Sequence, residues 1–97
     1  MRVEYHPFTV SDLNNAVAYY NQQRAGLGDE LRSEIYAAVA RVCSNPSQYA
    51  VVEHGIRRCL VNRFPYAVLF RLISQDAIRV LVIRHHRRHP SFGLGRR

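Results

Sequence analysis

Residues 66–85 run Tyr66-Ala67-Val68-Leu69-Phe70-Arg71-Leu72-Ile73-Ser74-Gln75-Asp76-Ala77-Ile78-Arg79-Val80-Leu81-Val82-Ile83-Arg84-His85. Two stretches rich in aliphatic, β-branched and aromatic residues, Tyr66–Ile73 and Ala77–His85, flank the polar Ser74-Gln75-Asp76. That interruption is short enough for a hairpin loop, so the stretches are expected as antiparallel strands. Side chains alternate between the faces of a strand. Tyr66, Val68, Phe70 and Leu72 therefore share one face. In the second strand Ile78, Val80, Val82 and Arg84 alternate with Arg79, Leu81, Ile83 and His85. All-apolar faces are expected to meet the rest of the protein, leaving Arg71 and Arg79 on the open side.

Working upstream, Ile56–Val61 has the same strand character, and Asn62-Arg63-Phe64-Pro65 is a second short connection. The three strands form an antiparallel meander. Ahead of Pro46 the period changes to that of a helix. Leu31, Ile35, Ala38, Val39 and Val42 form a stripe that starts at the acidic Asp29-Glu30 and stops at Asn45-Pro46. Leu13, Val17 and Tyr20 mark an earlier helix, introduced by Ser11 and Asp12 and ended near Arg24. Gly26-Leu27-Gly28 joins the two, which predicts a helical hairpin whose stripes are core. Val3–Phe8 supplies a first strand, at a sheet edge because of Pro7. The expected fold is α+β: an antiparallel sheet of about four strands, in the order β-α-α-β-β-β, with the helix pair on one face. A chain of 97 residues holds one such domain, taken as residues 1–90. Pro90, Gly93, Gly95 and the terminal arginines predict a flexible basic tail over residues 91–97.

All 14 basic residues are arginine, and the net charge is +7. No lysine ammonium is available as acid or base, and every fixed cation is a planar guanidinium suited to phosphate or carboxylate. Residues 1–56 carry four arginines against six acids, whereas residues 57–97 carry ten against Asp76 alone. Charge segregated in this way points to an anionic partner, either nucleic acid or an acidic protein segment. The candidate contact set is Arg57, Arg63, Arg71, Arg79, Arg84, His85, Arg87 and Arg88. The residues of the second strand, Arg57 and Arg58 among them, are not assigned to a face. His85, His86 and His89 do not form a metal set, since neighbours on a strand point apart and no carboxylate or thiolate lies near in sequence. No metal or cofactor is expected. Cys43 and Cys59 are well separated, and nothing resembles a signal peptide or a membrane span, so a cytoplasmic protein with reduced thiols is expected.

Several segments, in order, resemble the RelE/ParE superfamily of type II toxin–antitoxin toxins, also called plasmid stabilisation proteins. They are Ala18-Tyr19-Tyr20, Gly26-Leu27-Gly28, Asn45-Pro46, Arg57-Arg58-Cys59-Leu60, Arg63-Phe64-Pro65-Tyr66-Ala67-Val68 and His85-His86-Arg87-Arg88-His89-Pro90. The resemblance implies a growth-inhibiting toxin neutralised by a short acidic antitoxin. Two mechanisms share this fold in the superfamily. ParE-like members inhibit DNA gyrase, and RelE- and YoeB-like members cut messenger RNA on the ribosome. By position in the motifs, the nuclease mechanism would use Glu53 as base, Arg58 as phosphate clamp and His86 as auxiliary acid or base, without a metal. Arg87 stands where that branch usually carries an aromatic residue, and lysine is absent, so the resemblance favours the gyrase branch. A third reading is a non-toxic module that only binds antitoxin and acts as a corepressor.

Overall fold

The computed structural model describes residues 1–97. The chain runs β1 (Arg2–Tyr5), α1 (Pro7–Gln23), α2 (Leu27–Ser44), a single 3-10 turn at Pro46–Gln48, β2 (Val51–Glu53), β3 (Ile56–Leu60), β4 (Tyr66–Ser74) and β5 (Ala77–His85). The fold is α+β, with both helices on one face of the sheet. That sheet has five strands in the order β1-β5-β4-β3-β2. The meander β3-β4-β5 is antiparallel as expected. The sheet is mixed, however, because β1 joins β5 in parallel, with Val3 opposite Ile78 and Tyr5 opposite Val80. The fifth strand is β2. It turns into β3 through His54 and Gly55, both at positive φ (48° and 78°), the paired left-handed conformation of a tight two-residue hairpin.

Helix α1 begins earlier than the Ser11-Asp12 pair suggests. Pro7 occupies the first turn, where its missing N–H costs nothing, and His6 Nδ1 accepts the Phe8 amide at 3.0 Å. Gly26 takes the left-handed turn between the helices at φ 86°. Gly28 lies in α2 itself and lets it approach α1 closely: a Cβ here would meet the Val17 carbonyl oxygen and the Asn21 side chain. Asn21 Oδ1 instead accepts the Gly28 amide at 2.7 Å. The predicted stripes are core: Leu13 and Val17 from α1 and Leu31, Ile35, Ala38, Val39 and Val42 from α2 pack on Cys59, Val68, Phe70, Ile78, Val80 and Ile83 of the sheet. A fully buried side chain such as Leu31 or Phe70 contributes roughly 1.5–3 kcal/mol. No helix is long and apolar enough to cross a membrane.

The segment after β5 folds back across the outer face of the sheet, in place of the loose tail its composition suggests. Phe92 and Leu94 pack on Ile56, Leu69, Leu81 and Val82, a second, smaller core on the side away from the helices. Gly93, at φ 80°, sits so close to Val82 that a Cβ would clash with its side chain. Arg96 then reaches Asp12 of α1 at 2.6 Å, with both side chains largely shielded from solvent.

Candidate functional site

The register of β4 against β5 decides which cations share a surface. Leu69 pairs with Val82 but Phe70 pairs with Val80, so Leu81 is an extra residue, a β-bulge. Strict alternation places Arg84 with Ile78 and Val80 on the helix side. The bulge reverses the parity beyond Leu81. Arg84, opposite Ala67, comes to the outer face, and His85, opposite Tyr66, turns toward the helices. Arg58 pairs with Leu69 and is also outward, whereas Arg57 pairs with Phe70 and is inward.

The returning C-terminal segment divides the outer face into two hollows. One, of about 840 Å³, is bordered by Glu53, His54, Arg71, Arg79, Arg96 and Arg97. Its cations are mostly engaged. Arg79 lies 2.6 Å from Glu4, Arg96 lies 2.6 Å from Asp12, and Arg71 donates to the His54 carbonyl at 2.6 Å. The Arg79 hydrogen bond holds the Glu4 carboxyl below its ordinary range. The second hollow, of about 390 Å³, is bordered by Arg58, Leu60, Ala67, Arg84, His86, Arg88 and Pro90, and by no carboxylate. Arg84 donates to the Pro90 carbonyl at 2.5 Å, and the Arg88 guanidinium lies 4.6 Å from the Phe92 ring centroid. Burial, then repulsion from Arg58, holds Arg84 below the ordinary guanidinium value, although the group stays charged. Crowded cations without a counter-ion, in a shallow concave site, suit an incoming anion.

The family model for the ParE toxin of type II toxin–antitoxin systems, parDE, matches residues 3–90. The chain belongs to that family. Among solved structures, the chromosomal ParDE toxin–antitoxin system from P. aeruginosa is similar to it in fold, with a TM-score of 0.76 at 19% identity, covering 88% of this chain and 95% of that one. No curated protein matches the sequence.

In this ParE-family chain the three residues aligned with nuclease roles do not converge. Arg58 and His86 border the smaller hollow together. Glu53 borders the larger one, exposed at the end of β2 with its carboxylate 3.3 Å from His54 Nε2. The contact set is similarly split. Arg57 donates to the Ser47 and Tyr49 carbonyls at 3.2 and 2.7 Å, clamping the 3-10 turn. Arg63 is held by Glu30 at 2.6 Å and Glu34 at 3.4 Å, beside the helix pair. His85 is shifted below the ordinary histidine value by burial and then by Arg87, His86 and Arg88, and its Nδ1 accepts the Arg87 amide at 3.0 Å. The candidate contact set is therefore divided among several small sites and does not form one surface. No three histidine, cysteine or acidic side chains converge to hold a metal.

Asp12 is the residue that sequence reasoning missed. Strand β1 stops at Tyr5, so the edge of β5 beyond Val80 has no strand partner. Thr9 Oγ1 covers the Val80 and Leu81 carbonyls at 3.1 and 2.5 Å, Asp12 accepts the Ile83 amide at 3.3 Å, and Arg96 donates to the Leu81 carbonyl at 2.9 Å. These groups cover an edge that would otherwise be open to pairing. The available signal was an acid near a helix start with no arginine within helical reach.

Proposed function

We propose that this chain is the toxin of a type II toxin–antitoxin module, held inactive by a short acidic antitoxin, and that it acts by inhibiting DNA gyrase. The observation that carries this reading is the composition of the smaller hollow: Arg58, Arg84, His86 and Arg88 without a carboxylate. Such a site binds and holds an anionic surface of a protein–DNA machine through charge-assisted hydrogen bonds. It lacks the carboxylate base that the nuclease mechanism would draw from Glu53. The antitoxin's acidic groups have the same cations as their natural target. Arg79 is already paired with Glu4, so neutralisation falls on Arg58 and Arg84. Induction of the chain without antitoxin, with DNA supercoiling and ribosome-bound messages followed in parallel, tests the reading. Lost supercoiling with intact messages is expected. Growth unaffected by induction would leave only antitoxin binding and corepression.

One observation favours a second reading. Arg58 and His86 do share a hollow, as a phosphate clamp and an acid–base group would have to. A ribosome-dependent messenger RNA endoribonuclease would then rely on His86 without help from Glu53. It would leave cuts at the ribosomal A site that vanish in Arg58→Ala.

A further inference from the structure

On the helix side of the same sheet end lies a hollow of different character. Tyr19, Tyr66 and His85 line two adjoining depressions of about 490 and 210 Å³ between α1 and the end of β5. The walls are rings fixed edge to face: Tyr19 against Tyr20 at 5.3 Å, Tyr20 against Phe64 at 5.4 Å, and Tyr66 against His85 at 5.1 Å between centroids. Tyr19 is 57% exposed, an aromatic ring offered to solvent at the mouth of the hollow. Because His85 Nδ1 accepts the Arg87 amide, the neutral ring carries its proton on Nε2 and can donate from there. Gln23 adds a side-chain amide that can both donate and accept. The one acid on this wall, Asp12, is occupied by Arg96.

Arg88 joins this aromatic hollow to the cationic one. It borders both, and its guanidinium is steadied on the Phe92 ring. Neither Arg87 nor Arg88 is within ion-pair distance of a carboxylate. An aromatic recess with hydrogen-bonding edges, continuous with an unneutralised anion site, matches a unit that carries a flat ring and a phosphate together. A duplex presents its phosphates but keeps its bases stacked away, and an acidic peptide presents charge without the flat ring.

We propose that this end of the sheet binds single-stranded nucleic acid, with an unpaired base against Tyr19 and its phosphate drawn across Arg88 toward Arg58 and Arg84. The interaction requires neither gyrase nor the ribosome, so it stands or falls separately from the function proposed above. Fluorescence anisotropy of the purified full chain with labelled oligothymidylate, oligouridylate and a DNA duplex of equal length tests it, with oligoglutamate as competitor.

Single strands are expected to bind more tightly than the duplex. A preference between the DNA and RNA strands, with duplex still weaker, supports the proposal and identifies the source of the nucleotide. Because stacking on an aromatic ring adds affinity without adding charge, Tyr19→Ala is expected to weaken binding on the order of tenfold without changing its salt dependence. Tyr19→Phe should restore it. Arg88→Gln should reduce the slope of affinity against salt by about one charge. Arg97→Gln, an exposed cation that borders neither the aromatic hollow nor the one around Arg58 and Arg84, is the control for general charge. Equal binding of duplex and single strand, indifference to Tyr19→Ala in a variant that melts normally, or equally effective competition by oligoglutamate would each overturn the proposal. Inhibition of supercoiling that persists in Tyr19→Ala would leave the gyrase reading intact.

Discussion

The two hollows on the outer face of the sheet hold similar numbers of cations and differ in what those cations face. Around the larger, Arg79 and Arg96 are closed onto Glu4 and Asp12, and Arg71 onto a backbone carbonyl. Around the smaller, Arg58, Arg84, His86 and Arg88 have no acid. The first set joins β1 to β5 and the C-terminal segment to α1, so its charge is committed to holding the domain closed. The second set is held apart by the sheet register and by the Pro90 carbonyl, so its charge is left for a partner. An arginine-rich sequence therefore does not define a binding surface by its arginine count. The acids do, by removing the cations they reach first.

The largest effect should come from breaking the committed side. Arg96→Ala leaves the shielded Asp12 carboxylate facing only the Ile83 amide. Removing one partner from a pair with so little solvent access typically costs about 3 kcal/mol. For a domain of this size that corresponds to a melting temperature lower by roughly 10–20 °C. Arg97→Ala removes the same charge from an exposed position and should cost less than about 0.5 kcal/mol. Thermal unfolding followed by circular dichroism compares them directly. Matching melting temperatures for the two variants would mean that residues 91–97 are the loose tail their composition suggests.

This tail also shows where sequence reasoning stops. The helices and the meander were readable because each carries its period over several turns or alternations: Leu31, Ile35, Ala38, Val39 and Val42 are buried as expected, and Tyr66, Val68 and Phe70 join them in one core, with Leu72 partly buried against it. Val51–Glu53 is short and exposed throughout, so it has no alternation to read; its one local mark is His54-Gly55. The parallel pairing of β1 with β5 joins residues more than seventy positions apart and leaves no local trace. The face of Arg84 depends on one additional residue, and in the all-apolar run Val80-Leu81-Val82-Ile83 nothing marks which residue is extra. As for the site, Arg58 and His86 border one hollow and Glu53 another, a separation the motif order does not show, since residues close in a motif can end on different sides of a returning chain.

The uncommitted side is probed by truncating its cations. Hydrogen bonds to a charged partner contribute about 1.5–3 kcal/mol each. On the function proposed, Arg58→Ala and Arg84→Ala should thus each raise the concentration needed for half-inhibition of supercoiling by roughly 10–100-fold. Arg71→Ala, in the larger hollow, should change it by less than about threefold, because that guanidinium already serves the His54 carbonyl. An equal loss for Arg71→Ala would erase the distinction between the hollows. Antitoxin binding, measured by calorimetry on the same variants, should fall in the same order.

Acid pH should separate the two sides by a smaller margin. Glu4 and Glu30 are held below the ordinary carboxyl value of 4.5, in each case first by an arginine hydrogen bond, from Arg79 and Arg63 respectively. A carboxylate with a lowered folded value contributes stability that is present above 4.5 and lost as the pH falls below it. Denaturant titrations on either side of that value should show the loss. Arg79→Gln should show less of it, since the hydrogen bond that lowers Glu4 most would be gone and only Arg2 would still favour its carboxylate. Arg58→Ala, with no carboxylate at its hollow, should show as much of it as the natural protein.

His85 provides the smallest and most local test. Burial and the neighbouring Arg87, His86 and Arg88 disfavour its cationic form, which lowers its value from 6.5. In the unfolded chain the ring therefore takes up its proton first as the pH falls. The stability associated with its neutral form is present above 6.5 and declines below it, down to the folded value. Imidazole resonances followed by NMR should titrate with a midpoint below 6.5. Arg88→Gln should move that midpoint upward, since it removes one of the repelling charges. Arg71→Gln should leave it in place. A midpoint that responds equally to both substitutions would mean that His85 senses the net charge of the whole molecule, and that the cations at the end of β5 form no separate electrostatic neighbourhood.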